Sequence, residues 1–147
     1  MRAVVTRVSS ASVEIDGKVT GKIDNGFLVL LGIKDGDTEA DATKLASKIC
    51  NLRVFPDHEY KMNLDLKAAG GGILVISQFT LYADTKSRRP GFTAAARPDT
   101  AIPLYEFFIS ECKNAGFPVE TGIFGAMMNV SSVNDGPVTI LFDTESL

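Results

Sequence analysis

At 147 residues the chain has the size of one domain, residues 1–147. A chain this long buries about two-thirds of its unfolded surface, so it needs no metal or disulfide staple to fold. Its 45% hydrophobic and 22% charged residues exclude a disordered polymer. A formal net charge of −3 argues against loose, charge-driven binding to nucleic acid but leaves room for a local basic patch.

Residues 2–33 read as β. Val4, Val5 and Val8 open the pattern, and Ala11, Val13 and Ile15 alternate with polar residues. Asp16-Gly17 is a hairpin signal, with Lys18-Val19-Thr20 as the returning strand. Asp24-Asn25-Gly26 forms a second turn before a buried strand over 27–33. The run Phe27-Leu28-Val29-Leu30-Leu31 is the longest apolar one and falls far short of the ~18 residues of a membrane span. The opening segment has no apolar signal core, and two distant cysteines, Cys50 and Cys112, fit a reducing compartment. A cytoplasmic location without membrane contact is expected.

Ala42, Leu45, Ala46 and Ile49 recur at helical spacing, which predicts a helix over 38–51 capped by Asp37 or Thr38. β structure resumes at 52–55, and the chain to residue 67 reads as loop. Gly70-Gly71-Gly72 is a turn ahead of a strongly apolar strand over 73–79. Residues 86–97 form a basic loop. A second helix is expected over 101–115, capped by Asp99 or Thr100 and stopped by Gly116. Strands follow at 119–121, 126–133 and 138–142, the last two joined by a turn at Asn134-Asp135-Gly136-Pro137. Seven or eight strands and two helices, with hairpin-linked strands, predict an α+β fold: a largely antiparallel, curled sheet covered by two main helices.

The chemistry available is restricted. His58 is the single histidine and lies in a polar, loop-like stretch, so a Ser-His or Thr-His hydrolase would have to recruit it there. No ligand spacing supports a metal site, and no glycine-rich phosphate cradle is present, so no cofactor is expected. Ser77, Gln78, Phe79 and Thr80 stand at the end of a buried strand, where polar groups either build a site or satisfy the strand terminus. Gly125 and Ala126 allow close approach to the backbone beside Phe124 and Met128; a packed strand entry explains them equally. Lys86, Arg88 and Arg89 concentrate positive charge, either to meet phosphates or as a solvated loop. The Gly136-Pro137 bond reads as trans, because only about 5–6% of X-Pro bonds in folded proteins are cis.

Taken together, Ser77-Gln78-x-x-Leu81 and Asn134-x-Gly136-Pro137-x-Thr139 resemble the two signature segments of the D-aminoacyl-tRNA deacylases. The likeness extends over the whole chain, including its length, its opening Met-Arg-Ala-Val-Val-Thr-Arg-Val-Ser and the Phe124-Gly125-Ala126 segment. The resemblance implies a barrel-like sheet and a homodimer that hydrolyses the ester between a D-amino acid and the terminal adenosine of tRNA. Ser77, Gln78, Phe79 and Thr80 would then be catalytic. Gly136 and Pro137 would be joined by a cis bond, inserted into the partner's pocket to select chirality, and supported by Arg7, which otherwise reads as a surface ion pair. Phe124, Gly125, Ala126 and Met128 would form the adenosine pocket, and Lys86, Arg88 and Arg89 would meet tRNA phosphates. Rejection of L-substrates by a side-chain clash implies that glycyl-tRNA, including mischarged glycyl-tRNA(Ala), is also cleaved. The other readings are an aminoacyl-tRNA binding module without catalysis, an editing appendage of a synthetase, disfavoured by the chain's length, a Ser/Thr-His hydrolase using His58, and an oligomeric structural domain.

Overall fold

The computed structural model describes residues 1–147. Eight strands and two α-helices form it: β1 (Arg2–Ile15), β2 (Lys18–Ile23), β3 (Gly26–Gly32), α1 (Glu39–Cys50), β4 (Phe55–Pro56), β5 (Met62–Leu64), β6 (Gly72–Ser77), α2 (Pro98–Asn114), β7 (Val119–Thr121) and β8 (Asn129–Asp143). Short 3-10 turns follow β6 at Phe79–Tyr82 and β8 at Thr144–Ser146. No helix is long and apolar enough to cross a membrane.

The hairpin between β1 and β2 turns where the sequence asks for it. Asp16 and Gly17 take φ of 50° and 78°, the left-handed pair that a two-residue turn between twisted strands needs. β1 pairs antiparallel with β2, β3 and β8. Helical crossovers then return the chain in the same direction, so β3–β6 and β6–β7 are parallel. The α+β expectation holds, with antiparallel pairs in the majority and a parallel segment wherever a helix intervenes.

The sheet separates two cores. Ala3, Val5, Phe27, Val29, Ile73 and Val75 face α1 and α2 in the larger one. The alternate residues Leu28, Leu74 and Ile76 join Val8, Ala11 and Val13 in the smaller one, inside the curl. β1 changes face between Val8 and Ala11 because Ser9 is an extra residue: Val8 and Ser10 oppose the consecutive Asn134 and Val133. The curl brings β2 onto β7, so tightly that a Cβ at Gly21 would lie 2.7 Å from the Thr121 carbonyl oxygen.

Several boundaries differ from the expected ones. α1 starts after Thr38, which closes a capping box with Asp41. α2 starts earlier than expected, with Pro98 at its first turn and Arg97 as N-cap, because proline suits the position whose N–H has no helical acceptor. The stretch read as loop contains the small β4–β5 hairpin. The strand expected over 73–79 stops at Ser77.

The largest correction is at Asn134-Asp135-Gly136-Pro137. These residues do not reverse the chain; the two expected strands are collinear parts of β8. Thr6 and Val8 of β1 oppose Thr139 and Asn134, so residues 135–138 of β8 stand against the single residue Arg7. Turn chemistry here produces an excursion from an edge strand. Both edges of β1 are occupied, and β8, which pairs with β1 alone, leaves its outer edge open along 15 residues.

Candidate active site

β6 delivers the first polar cluster. Ile73, Leu74, Val75 and Ile76 are at most 2% exposed, and β3 and β7 flank the strand on both sides. The ladder ends as the Gln78 N–H donates to the Leu31 carbonyl at 2.8 Å. The chain then winds into the 3-10 turn, where the Leu81 N–H donates to the Gln78 carbonyl at 3.2 Å and the Ala83 N–H to the Thr80 carbonyl at 3.1 Å. A 3-10 turn offers no internal acceptor to its first N–H groups, so those of Phe79 and Thr80 stand at its open end. Gln78 donates its side-chain amide to the Thr80 hydroxyl. Phe79 is half-exposed and meets the edge of Phe92 at a ring distance of 5.0 Å. Arg2 ties the turn down, donating to the Leu81 carbonyl and to Asp143, each at 3.0 Å.

Two further groups gather at this end of the sheet. Lys86, Arg88 and Arg89 are exposed on a loop closed by paired backbone bonds between Asp84 and Gly91, and none of the three forms an ion pair. Val75 pairs with Thr121, so the chain leaving β7 toward Ile123 and Phe124 runs beside the chain leaving β6 toward Ser77. Phe124 packs on Tyr105 at 5.9 Å. The buried Tyr105 hydroxyl donates to the Val75 carbonyl at 3.1 Å, and burial pushes its pKa up to about 12. Gly125 has φ of 78° and is exposed, and Met128 packs against the smaller core with its sulfur beside Gly122.

The second signature segment is elsewhere. Arg7 is 8% exposed and alternates with Ala3 and Val5 toward the larger core, so it is not the surface ion pair that its charge alone allows. Its guanidinium donates to the Val54 carbonyl at 2.5 Å and to the Asp135 carbonyl at 2.9 Å, and lies 3.5 Å from the Asp135 carboxylate. Asn134 spans the excursion: its amide oxygen accepts from the Val138 N–H at 3.1 Å and its amide nitrogen donates to the Thr139 hydroxyl at 3.3 Å. Gly136 has φ of 132°, and a Cβ there would lie 2.8 Å from Arg7. The Gly136–Pro137 bond is cis, against the trans expectation from frequency alone. Both residues are exposed.

Within one chain the two segments are far apart. Ser77 is level with Leu31 and Ala3, whereas the excursion is level with Arg7 and Phe27. Four residues along β3 separate those levels, roughly 13 Å, and three strand spacings separate β8 from β6, roughly 14 Å. His58 is exposed in the β4–β5 loop and has no hydrogen bond to Ser77 or Thr80. No group of three or more His, Cys, Asp or Glu side chains could hold a metal ion. Cys50 and Cys112 are buried free thiols.

Sequence reasoning assigned no role to Asn134, Thr139, Val54 or Tyr105. The spacing Asn-x-Gly-Pro-x-Thr carried a signal for the first two, since it puts a polar side chain on each side of Gly-Pro. Nothing local marks Val54, which serves through its carbonyl.

Residues 4–143 match the family model described as D-Tyr-tRNA(Tyr) deacylase. A D-aminoacyl-tRNA deacylase from Chloroflexus aurantiacus is 55% identical over 100% of this chain and 92% of its own length. One from Thermus aquaticus is 57% identical over 98% of this chain and 95% of its own. The solved structure of a c-Myc DNA unwinding element binding protein superposes with a TM-score of 0.93 at 38% identity, covering 97% of this chain and 98% of that one. A probable eukaryotic D-amino acid tRNA deacylase shares the fold, with a TM-score of 0.81 at 18% identity over 96% of this chain and 97% of that one. The chain belongs to the D-Tyr-tRNA(Tyr) deacylase family of hydrolases.

Proposed function

We propose that this protein hydrolyses the ester of D-aminoacyl-tRNA, releasing the D-amino acid and tRNA, and that it does so as a homodimer with shared sites. The observation that carries the dimer is the separation of the two signature segments. The Gly136–Pro137 excursion is too far from the Ser77 end of its own β6 to serve it, so a site that uses both segments calls for a second copy. The open edge of β8, with Val130, Val133 and Leu141 38%, 57% and 77% exposed, supports the same reading, because a long unpaired apolar edge is a surface that folded proteins cover.

The substrate is an activated ester, so the site must hold the carbonyl, stabilise the oxyanion and admit a nucleophile. The N–H groups of Phe79 and Thr80, aided by Ser77 or Gln78, suit the oxyanion; one such donor is typically worth about 2.7–4 kcal/mol. A hydroxyl nucleophile needs a base, and Thr80 has only the Gln78 amide beside it. Water therefore attacks, assisted by the free ribose hydroxyl of the terminal adenosine, while Thr80 positions the substrate. Trapping an acyl-Thr80 species, with Thr80→Ala and Thr80→Val both inactive on bound tRNA, would contradict this step.

Chirality is read by main-chain oxygens. The carbonyls of Gly136 and Pro137 from the partner accept the α-ammonium of a D-substrate, and an L side chain would be driven into them. Uniform binding cannot separate two substrates with the same groups, so a clash against one hand is required. Glycine has nothing to clash and is cleaved as well. Phe124, Gly125, Ala126 and Met128 hold the adenosine, and Lys86, Arg88 and Arg89 meet acceptor-stem phosphates. Hydrolysis of a matched D- and L-aminoacyl-tRNA pair tests the proposal. Release from the D-form and from glycyl-tRNA alone is expected, and equal release from both hands, or from neither, would overturn it.

A further inference from the structure

A groove beyond the 3-10 turn adds to Lys86 two cations, Arg2 and Lys34, that the functional reading leaves unused. It is an open cavity of about 570 Å³ lined by Arg2, Lys34, Tyr82, Asp84, Thr85 and Lys86. Three cations border it against one carboxylate, and Asp84 already accepts from the Lys86 N–H at 2.9 Å. Lys34 is paired with Glu145 at 2.5 Å and Arg2 with Asp143 at 3.0 Å, and neither carboxylate lines the cavity. Those two pairs fix the positions of the cations. Tyr82 adds a ring 4.5 Å beneath the Arg2 guanidinium and a buried hydroxyl with no hydrogen-bond partner. Anchored cations beside the exposed Thr85 hydroxyl suit a phosphate, whose oxygens accept from both. Tyr82 ends the 3-10 turn and Lys86 opens the basic loop, so the groove links the turn to Arg88 and Arg89.

We propose that this groove is a phosphodiester subsite. It holds a backbone phosphate of the RNA 3′ end, upstream of the nucleotide that bears the ester, with Arg2, Lys34 and Lys86 as its cations. The inference rests on the aminoacyl-tRNA reading and assigns Arg2 and Lys34 to the RNA surface.

The test compares Lys34→Glu and Glu145→Gln with the parent protein on D-aminoacyl-tRNA and on the D-aminoacyl ester of adenosine, which has no phosphate. Lys34 is half-buried and Glu145 exposed, so melting curves accompany both variants and only those that keep the parent's fold are compared. Lys34→Glu is expected to raise KM for the tRNA about tenfold and to flatten its logarithmic salt dependence by about 0.7–1, with the adenosine ester unaffected. Glu145→Gln frees Lys34 and is expected to lower KM for the tRNA. The same charge reversal at exposed Lys48 on α1 should change nothing. An unchanged KM and salt slope in Lys34→Glu, an equal loss on both substrates, or an equal effect of Lys48→Glu would overturn the subsite. Should the parent protein cleave neither substrate, the deacylase reading fails by itself, and binding of uncharged tRNA decides the groove. Weaker binding by Lys34→Glu then supports the subsite, and equal binding overturns it.

Discussion

The Ser77 end of β6 is held by burial, whereas the Gly136–Pro137 excursion of β8 is held by hydrogen bonds. β6 runs between two parallel neighbours with Ile73, Leu74 and Val75 fully buried, so its last residues are fixed by the core beneath them. The excursion stands on an open edge, and its shape depends on Arg7 beneath it and Asn134 across it. One segment inherits its rigidity from the fold, and the other needs dedicated side chains. Substitutions should therefore separate the two: changes around β6 act through stability, and changes around the excursion act on deacylation and selectivity, with a stability cost where the buried Arg7 is lost.

The largest effect is expected from Gly136→Ala. Its Cβ would press on Arg7 and Val138 at a φ that L-residues avoid, and the excursion must shift. A misplacement of about 1 Å at a reacting group costs about 100-fold, so D-aminoacyl-tRNA deacylation should fall by about that factor while the melting curve of the fold stays close to the parent. Next is Arg7→Met, which leaves the Val54 and Asp135 carbonyls without their donor. Denaturant unfolding should show a loss of about 1–3 kcal/mol, and the ratio of L- to D-substrate cleavage should rise.

Asn134→Ala sharpens the contrast because its bonds are exposed. Losing about 1 kcal/mol of clasp corresponds to roughly fivefold in rate, with an unfolding loss of no more than that amount. Tyr105→Phe probes the buried side instead. It removes the donor to Val75 and should cost about 1 kcal/mol of stability. Burial raises the Tyr105 pKa in the folded state from 10.0 to about 12. The difference between parent and variant should thus be complete below pH 10, then shrink and reverse as pH rises toward 12, because each unit withdraws about 1.4 kcal/mol from the parent. His58→Ala should leave deacylation unchanged, since no contact joins His58 to the turn.

The same contrast explains what the sequence made legible. Periodicity placed α1, the β1–β2 hairpin and the apolar β6, because each follows from local pattern and burial. Asn134-Asp135-Gly136-Pro137 misled because its turn chemistry is real, while its outcome depends on Arg7, 128 residues away in the chain. No local rule distinguishes a reversal from an excursion opposite such a side chain; the resemblance to a family supplied the cis bond and the support from Arg7, not the collinear path of β8. The burial of Arg7 was hidden for the same reason, as its partners are two backbone carbonyls. Ser77 and Thr80 are visible as polar residues ending a buried strand, but the apolar pattern carries that strand through Phe79 and gives no sign of the 3-10 turn that exposes the Phe79 and Thr80 N–H groups.

The most direct measurement mixes two impaired variants, Gly136→Ala and Gln78→Ala, and allows their subunits to exchange. Each mixed dimer would hold one intact pairing, Gln78 of one copy with the unaltered Gly136–Pro137 of the other. Random exchange in a two-fold dimer should restore about one quarter of the parent deacylase activity. A mixture no more active than its two components, despite demonstrated exchange, would contradict a site built from two chains.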